Sequence, residues 1–171
     1  MRAMTSPATT DLTMPADPPA RWLDDFHAGD VFEFGDEPVT AEEIVAFASR
    51  FDPQPFHLDA EAGAKTHFGG LVASGWHTAS LAMRMMCDGY LHRAASLGSP
   101  GVDNLRWTAP VRPGDTLRLR MTVLGARPMR SRPDAGLVES RWEVFNQHDV
   151  LVLEMSGWGM FGRRSPASAG N

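Results

Sequence analysis

An α+β fold, with one long apolar helix lying along a curved antiparallel sheet, is predicted by three observations. Gly75 to Leu91 carries apolar residues at helical spacing, in one stripe through Trp76, Ala79, Ser80, Met83, Cys87 and Tyr90 and a second through Leu81 and Met85. A helix that is apolar nearly all round is expected inside a protein, wrapped by a sheet. The chain after it changes period: Leu117, Leu119, Met121 and Val123 alternate with Thr116, Arg118, Arg120 and Thr122, and Val138, Trp142 and Val144 oppose Glu139, Arg141 and Glu143. Successive strands of this kind, separated by turn sequences such as Pro113-Gly114-Asp115 and Asn146 to Asp149, pair antiparallel.

The elements follow in order. The chain has 171 residues, 43% of them hydrophobic, which suits one domain with its own core. Residues 1–20 and 163–171 are built from Pro, Ala, Ser, Thr and Gly without apolar periodicity and are expected to be disordered tails, leaving a single domain over 21–162. Asp30 to Phe34 reads as a short strand. Thr40-Ala-Glu-Glu43 is a capping box, in which hydroxyl and carboxylate each satisfy the other residue's amide. The helix it opens must stop by Asp52, because Pro53 disfavours helical geometry before it. Asp52 to Asp59 is then a loop stiffened by Pro53 and Pro55, and Asp59 caps a short helix over Ala60 to Lys65. Strands are expected at Val102 to Val111, Thr116 to Val123, Val138 to Phe145 and Val150 to Phe161, with a long connection from Ala126 to Gly136.

Composition removes several function classes. Sixteen basic against 21 acidic residues leave a net charge of −5, which disfavours nucleic acid and acidic membrane surfaces as partners. The longest uncharged run, Thr66 to Met83, holds His67, His77 and three glycines, so no membrane span is expected. Residues 1–20 contain no apolar signal core, and the single cysteine, Cys87, allows no intramolecular disulfide and no cysteine zinc site. A cytoplasmic protein fits these features.

The densest polar constellation is Asp52, Gln54, His57 and Asp59, interleaved with Phe51, Phe56 and Leu58. An aspartate and a histidine five apart on a stiff loop can hold one water between them, one taking its proton and the other orienting it. The plainer reading makes Asp52 a helix cap and His57 a core residue. Next, Gly69-Gly70-Leu71-Val72-Ala73-Ser74-Gly75-Trp76-His77 leads into the long helix, whose first turn has unpaired amides and partial positive charge. Gly75 lets a substrate oxygen approach that backbone, which suits a carbonyl turning into an enolate; alternatively Ser74 or Gly75 only caps the helix. His77 either lines the pocket or packs in the core. A metal set of His57, Asp59, His67 and His77 needs long-range convergence, so no metal is predicted. Arg127, Arg130 and Arg132 are either a solvated loop or a site for phosphates.

Phe47-Ala48-x-x-Phe51-Asp52-Pro53-Gln54-Pro55-Phe56-His57-Leu58-Asp59, then Phe68-Gly69-Gly70-Leu71-Val72-Ala73-Ser74-Gly75, then Ala109-Pro110-Val111-x-Pro113-Gly114-Asp115, resembles the MaoC-like dehydratases in order over residues 20–162. The resemblance implies a single hotdog fold and reversible hydration of a trans-2-enoyl-CoA to a 3-hydroxyacyl-CoA of (R) configuration. It implies that Asp52 and His57 activate the water and that the Gly75 amide polarises the thioester carbonyl. Substrate contacts are expected from Gln54, Phe56, Ser74, Trp76 and His77. Where the family commonly has a histidine before the glycine, this chain has Ser74, whose hydroxyl would be the carbonyl's second donor. The substrate partner implied is an acyl-CoA or an acyl-carrier thioester, no cofactor is expected beyond coenzyme A as part of the substrate, and a homodimer or a dimer of dimers is implied. The rivals are a hotdog thioesterase, for which Asp88 on the long helix is the available carboxylate, and a non-catalytic acyl-CoA-binding protein.

Overall fold

The structure, a computed structural model, describes residues 19–164; the expected tails lie almost wholly outside this span. In chain order it comprises β1 (Val31–Pro38), α1 (Ala41–Phe51), α2 (Pro55–Leu58), α3 (Ala60–Ala64), α4 (Gly75–Gly89), β2 (Ser96–Gly98), β3 (Val102–Trp107), β4 (Thr116–Pro128), β5 (Ala135–Phe145) and β6 (Leu151–Gly162). The strands form one antiparallel six-stranded sheet in the order β1-β4-β5-β6, and β2 and β3 share the free side of β6. Helix α4 lies along this sheet, the hotdog arrangement that the resemblance implies. Among the described residues no helix is long and apolar enough to cross a membrane.

The alternation in β4 does what its period requires. Leu117, Leu119, Met121 and Val123 are buried under α4, and Arg118 and Arg120 on the other face reach Glu33 and lie over the Phe145 ring. Burying one such side chain is worth about 1.5–3 kcal/mol, so these positions lock the register against β1 and β5. The capping box forms as read: Glu43 N donates to Thr40 Oγ1 at 3.2 Å and Thr40 N to Glu43 Oε2 at 3.1 Å.

Four expectations are corrected. Helix α4 is not buried all round: Ala82, Met85 and Met86 face the sheet, while Trp76 (58% exposed) and Met83 (48%) stand on the open side. One sheet covers one side of a helix, and the stripe through Trp76, Ser80 and Met83 is the uncovered one. Strand β4 does not stop at Val123. A bulge between Val123 and Gly125 carries it on to Pro128, pairing Ala126 with Val138, so the connection shrinks to residues 129–134. Within the loop before α3, Pro55 opens the single helical turn of α2, where its missing N–H costs nothing. The strand expected over Val102 to Val111 ends at Trp107, and the short β2 at Ser96–Gly98 precedes it where the sequence predicts none.

Helix α3 is pressed against the glycine pair that follows it. A Cβ on Gly63 would run into the carbonyl of Gly70, backbone that is tied in by its neighbours and cannot swing aside. Gly63→Ala is therefore expected to destabilise the protein by about 1–3 kcal/mol despite alanine's better helix propensity. Urea unfolding of the two proteins at neutral pH measures it, and an unchanged midpoint would remove the constraint.

Candidate active site

The site begins where α1 ends. Asp52 N closes the helix on Ala48 O at 2.9 Å, and Pro53 turns the chain away. Gln54 N returns to Asp52 O at 2.8 Å, and the turn of α2 then carries His57 inward until it is 6% exposed. Opposite it runs the extended segment 71–74. Val72 N donates to Phe56 O at 3.3 Å, and Val72 O lies 2.7 Å from His57 Nδ1. A carbonyl can only accept, so Nδ1 carries a proton and Nε2 is the nitrogen left to face the site.

That Nε2 faces Asp52 Oδ2 at 3.4 Å. Two acceptors so placed need a hydrogen between them, either on the imidazolium or from a donor held by both. Asp52 is kept as the anion. Ser74 Oγ donates to Oδ2 at 2.6 Å, and Gln54 Nε2 donates to Oδ1 at 2.7 Å. The Ser74 bond above all, with help from Gln54 and the neighbouring His57, holds the carboxyl below the usual aspartate range, against partial burial that pushes it up.

Ser74 is fully buried and also caps α4, its Oγ accepting from Trp76 N at 3.2 Å. The amide of Gly75, the first helical residue, meets no acceptor among the described residues. It borders a cavity of about 620 Å³ that Asp52, His57, Phe56 and Phe68 also line. Gly75 does not have a left-handed backbone; it is small because the indole of Trp107, on β3, lies where a Cβ would be. The cavity thus joins an aspartate–histidine pair with one open side to a free helix-terminal N–H, an arrangement for activating water beside a polarised carbonyl.

Residues 25–142 match the MaoC-like domain family. The chain belongs to that family. It is similar to a solved MaoC-like dehydratase from Rhodospirillum rubrum, with a TM-score of 0.78 and 42% identity over 84% of this chain and 98% of that one. An uncharacterized protein of Bacillus subtilis, YdeM, is 30% identical over 77% of this chain and 92% of its own length. The 3-hydroxyacyl-thioester dehydratase Z of Mycobacterium tuberculosis is 29% identical over 62% of this chain and 72% of its own length. Relatives of this MaoC-like protein thus carry the names of hydratases and dehydratases.

Within the MaoC-like domain, the residues singled out from sequence divide. Asp52, His57, Gly75, Gln54, Phe56 and Trp76 all border the cavity, Trp76 at its rim with its ring edge-on to Trp107 at 5.2 Å. Two differ in what they do. Ser74 was read as the carbonyl's second donor, but its hydrogen is directed at Asp52. Gln54 likewise spends its amide on the same carboxylate. His77 takes the core alternative and not the expected substrate contact: it does not line the cavity but is buried and stacked on Phe47 at 4.8 Å, where burial lowers its pKa against the charge of Glu43. His57, Asp59, His67 and His77 do not gather into a metal-binding group among the described residues. Arg132 pairs with Asp134, Arg127 lies over Trp158, and neither these nor Arg130 reach the cavity. Asp88 is bound to Arg84 on an exposed turn, away from the cavity that holds Gly75.

Sequence reasoning missed Val72, Trp107 and Arg112. Val72 acts through its carbonyl, which no side chain advertises. Trp107 is placed by strand pairing, and Arg112 occupied the one unspecified position of the Ala109 to Asp115 motif.

The Ser74 hydrogen bond stabilises the charged form of Asp52, so removing it raises that pKa. In Ser74→Ala the acid limb of a pH–rate profile that depends on the Asp52 carboxylate should move to higher pH. Loss of the cap should also cost about 1 kcal/mol of stability. Stability loss with an unmoved acid limb would leave Ser74 as a helix cap alone.

Proposed function

We propose that this protein is a cytoplasmic hydro-lyase that adds water reversibly across a trans-2-enoyl thioester, giving the 3-hydroxyacyl thioester of (R) configuration. The observation that carries this reading is the Asp52–His57 pair, two acceptors 3.4 Å apart in a cavity that also exposes the Gly75 amide. A water donating one hydrogen to His57 Nε2 and the other to Asp52 Oδ2 presents its oxygen lone pair to the β-carbon. As the C–O bond forms, Nε2 takes the proton. The electron pair of the double bond moves through the α-carbon onto the carbonyl oxygen, which the Gly75 N–H stabilises as an enolate. One such donor is worth about 2.7–4 kcal/mol in comparable oxyanion sites. The imidazolium then returns its proton to the α-carbon, on the face from which the water came. Asp52 stays ionised throughout, fixing the water and balancing the transient imidazolium. The thioester supplies its own activation, so the scheme calls for no cofactor. The name of the tuberculosis relative, a 3-hydroxyacyl-thioester dehydratase, supports the substrate class.

The test follows loss of ultraviolet absorbance of the conjugated thioester in crotonyl-CoA and a longer enoyl-CoA, with a thiol reagent in parallel. Absorbance is expected to fall without thiol release. Asp52→Asn and His57→Gln should each lower kcat by about a hundred- to ten-thousand-fold with the fold retained. Thiol release would indicate thioester hydrolysis instead, and near-full activity in both variants would overturn the mechanism.

The working unit in this proposal is a homodimer. The unpaired side of β3 and the open side of α4 expose Val102 (51%), Trp107 (46%), Trp76 and Met83 on one flank. A free strand edge next to exposed aromatics is what a second copy would cover. Light scattering should give about twice the chain mass of 18.7 kDa, or a multiple of that pair. A monomer at micromolar concentration would refute it.

A further inference from the structure

The cavity holds one charged group that the hydration chemistry leaves without a task. Arg112 lines it, alone among the arginines. It follows Val111, whose carbonyl accepts from Ala73 N at 2.9 Å, so its backbone runs beside the segment that leads into α4. Its Nη2 donates to Phe68 O at 2.6 Å, which steadies the guanidinium over the turn before Gly69 and Gly70. That partner is neutral. Eight other arginines of the described residues are paired with Asp or Glu, and Arg21, Arg50 and Arg127 lie over aromatic rings. Arg112 does neither: among the described residues no carboxylate oxygen comes within ion-pair distance of its guanidinium, although its backbone N–H donates to Asp115 Oδ2, and unlike Arg93 and Arg130, which also lack such partners, it lines the cavity. The remaining donors of its planar fork are free, and His67 borders the cavity beside it, its ring 4.0 Å from that of Phe68. In a chain of net charge −5, a steadied, unpaired guanidinium at the edge of the reactive cavity is a site for an oxyanion.

We propose that Arg112 is the anion-binding end of this cavity and takes a charged oxygen group of the thioester substrate while the carbonyl sits at Gly75. The proposal rests on the thioester reading above. The oxyanion has two sources, a phosphate on the carrier arm or a carboxylate on the acyl chain, and the experiment separates them.

Calorimetric titration uses three saturated thioesters that cannot be hydrated: butyryl-CoA, butyryl-pantetheine, which lacks the phosphates, and succinyl-pantetheine, which carries only the acyl carboxylate. Arg112→Gln should weaken one of the two charged ligands by roughly ten-fold or more and leave butyryl-pantetheine within about two-fold. Arg112→Lys, which keeps the charge but not the fork, should recover part of the loss. A loss confined to butyryl-CoA assigns the phosphate, and one confined to succinyl-pantetheine assigns the carboxylate. Equal affinities in wild type and both variants would overturn the proposal, as would a uniform loss that includes butyryl-pantetheine. If the wild-type protein binds none of the three, the thioester reading itself falls and the anion site with it. Thermal melts of both variants identify any loss that comes from misfolding.

Discussion

The backbone of Val72, Ala73 and Ser74 runs fully inside the protein, and every polar group on a buried segment needs a partner. Val72 N finds Phe56 O, Ala73 N finds Val111 O, and Val72 O receives His57 Nδ1. Ser74 Oγ spans the gap to Asp52. These partners come from three separate stretches: the end of α1, the turn of α2, and the approach to β4. Three residues that satisfy their own hydrogen-bonding demand therefore bring the reactive groups together. The orientation of His57 is a by-product of satisfying a buried carbonyl, and so is the choice of its protonated nitrogen.

The same economy governs charge. An aspartate facing the unprotonated nitrogen of a histidine at 3.4 Å is an unfavourable pairing until a hydrogen enters it. Ser74 and Gln54 each supply a hydrogen bond to the carboxylate, which stabilises Asp52 as the anion whether the hydrogen facing it is carried by His57 or by a donor held between them. Ser74 does this while capping α4, since a hydroxyl can donate in one direction and accept in another. A histidine at position 74 would have brought a ring into a fully buried place that here holds only a hydroxyl.

Features set by local period or local chemistry were legible in the sequence. The inward face of β4, the capping box at Thr40 and the end of α1 at Asp52 depend on residues within a few positions of each other, and all appear as read. The grouping of Asp52 and His57 was legible for the same reason. What could not be read depends on contacts across the chain. The continuation of β4 to Pro128 needs β5 beside it, and the inner turn of α2 needs the Val72 carbonyl. His77 lies one turn inside a helix whose start borders the cavity, so its sequence position suggested the site. The rotation of α4 sends it to Phe47 instead, and that rotation is set by packing against the sheet and α1, which lie far from it in sequence. The stripe through Trp76 and Met83 was misplaced on the same ground, because apolar spacing marks a face without saying whether a single chain covers it.

Gly75 joins these threads. Its backbone is not left-handed, so the glycine is not needed to turn the chain. The indole of Trp107 occupies the space a side chain would take, and the residue therefore has to be bare. The consequence is chemical as well as steric. Ser74, immediately before it, satisfies the amide of Trp76, while the Gly75 N–H has no acceptor among the described residues and stays open where the helix dipole meets the cavity. An alanine there would push aside the indole of Trp107, which lines the cavity. A position that reads in sequence as flexibility is, in the folded protein, a steric one, because the indole packed against it leaves no room for a Cβ.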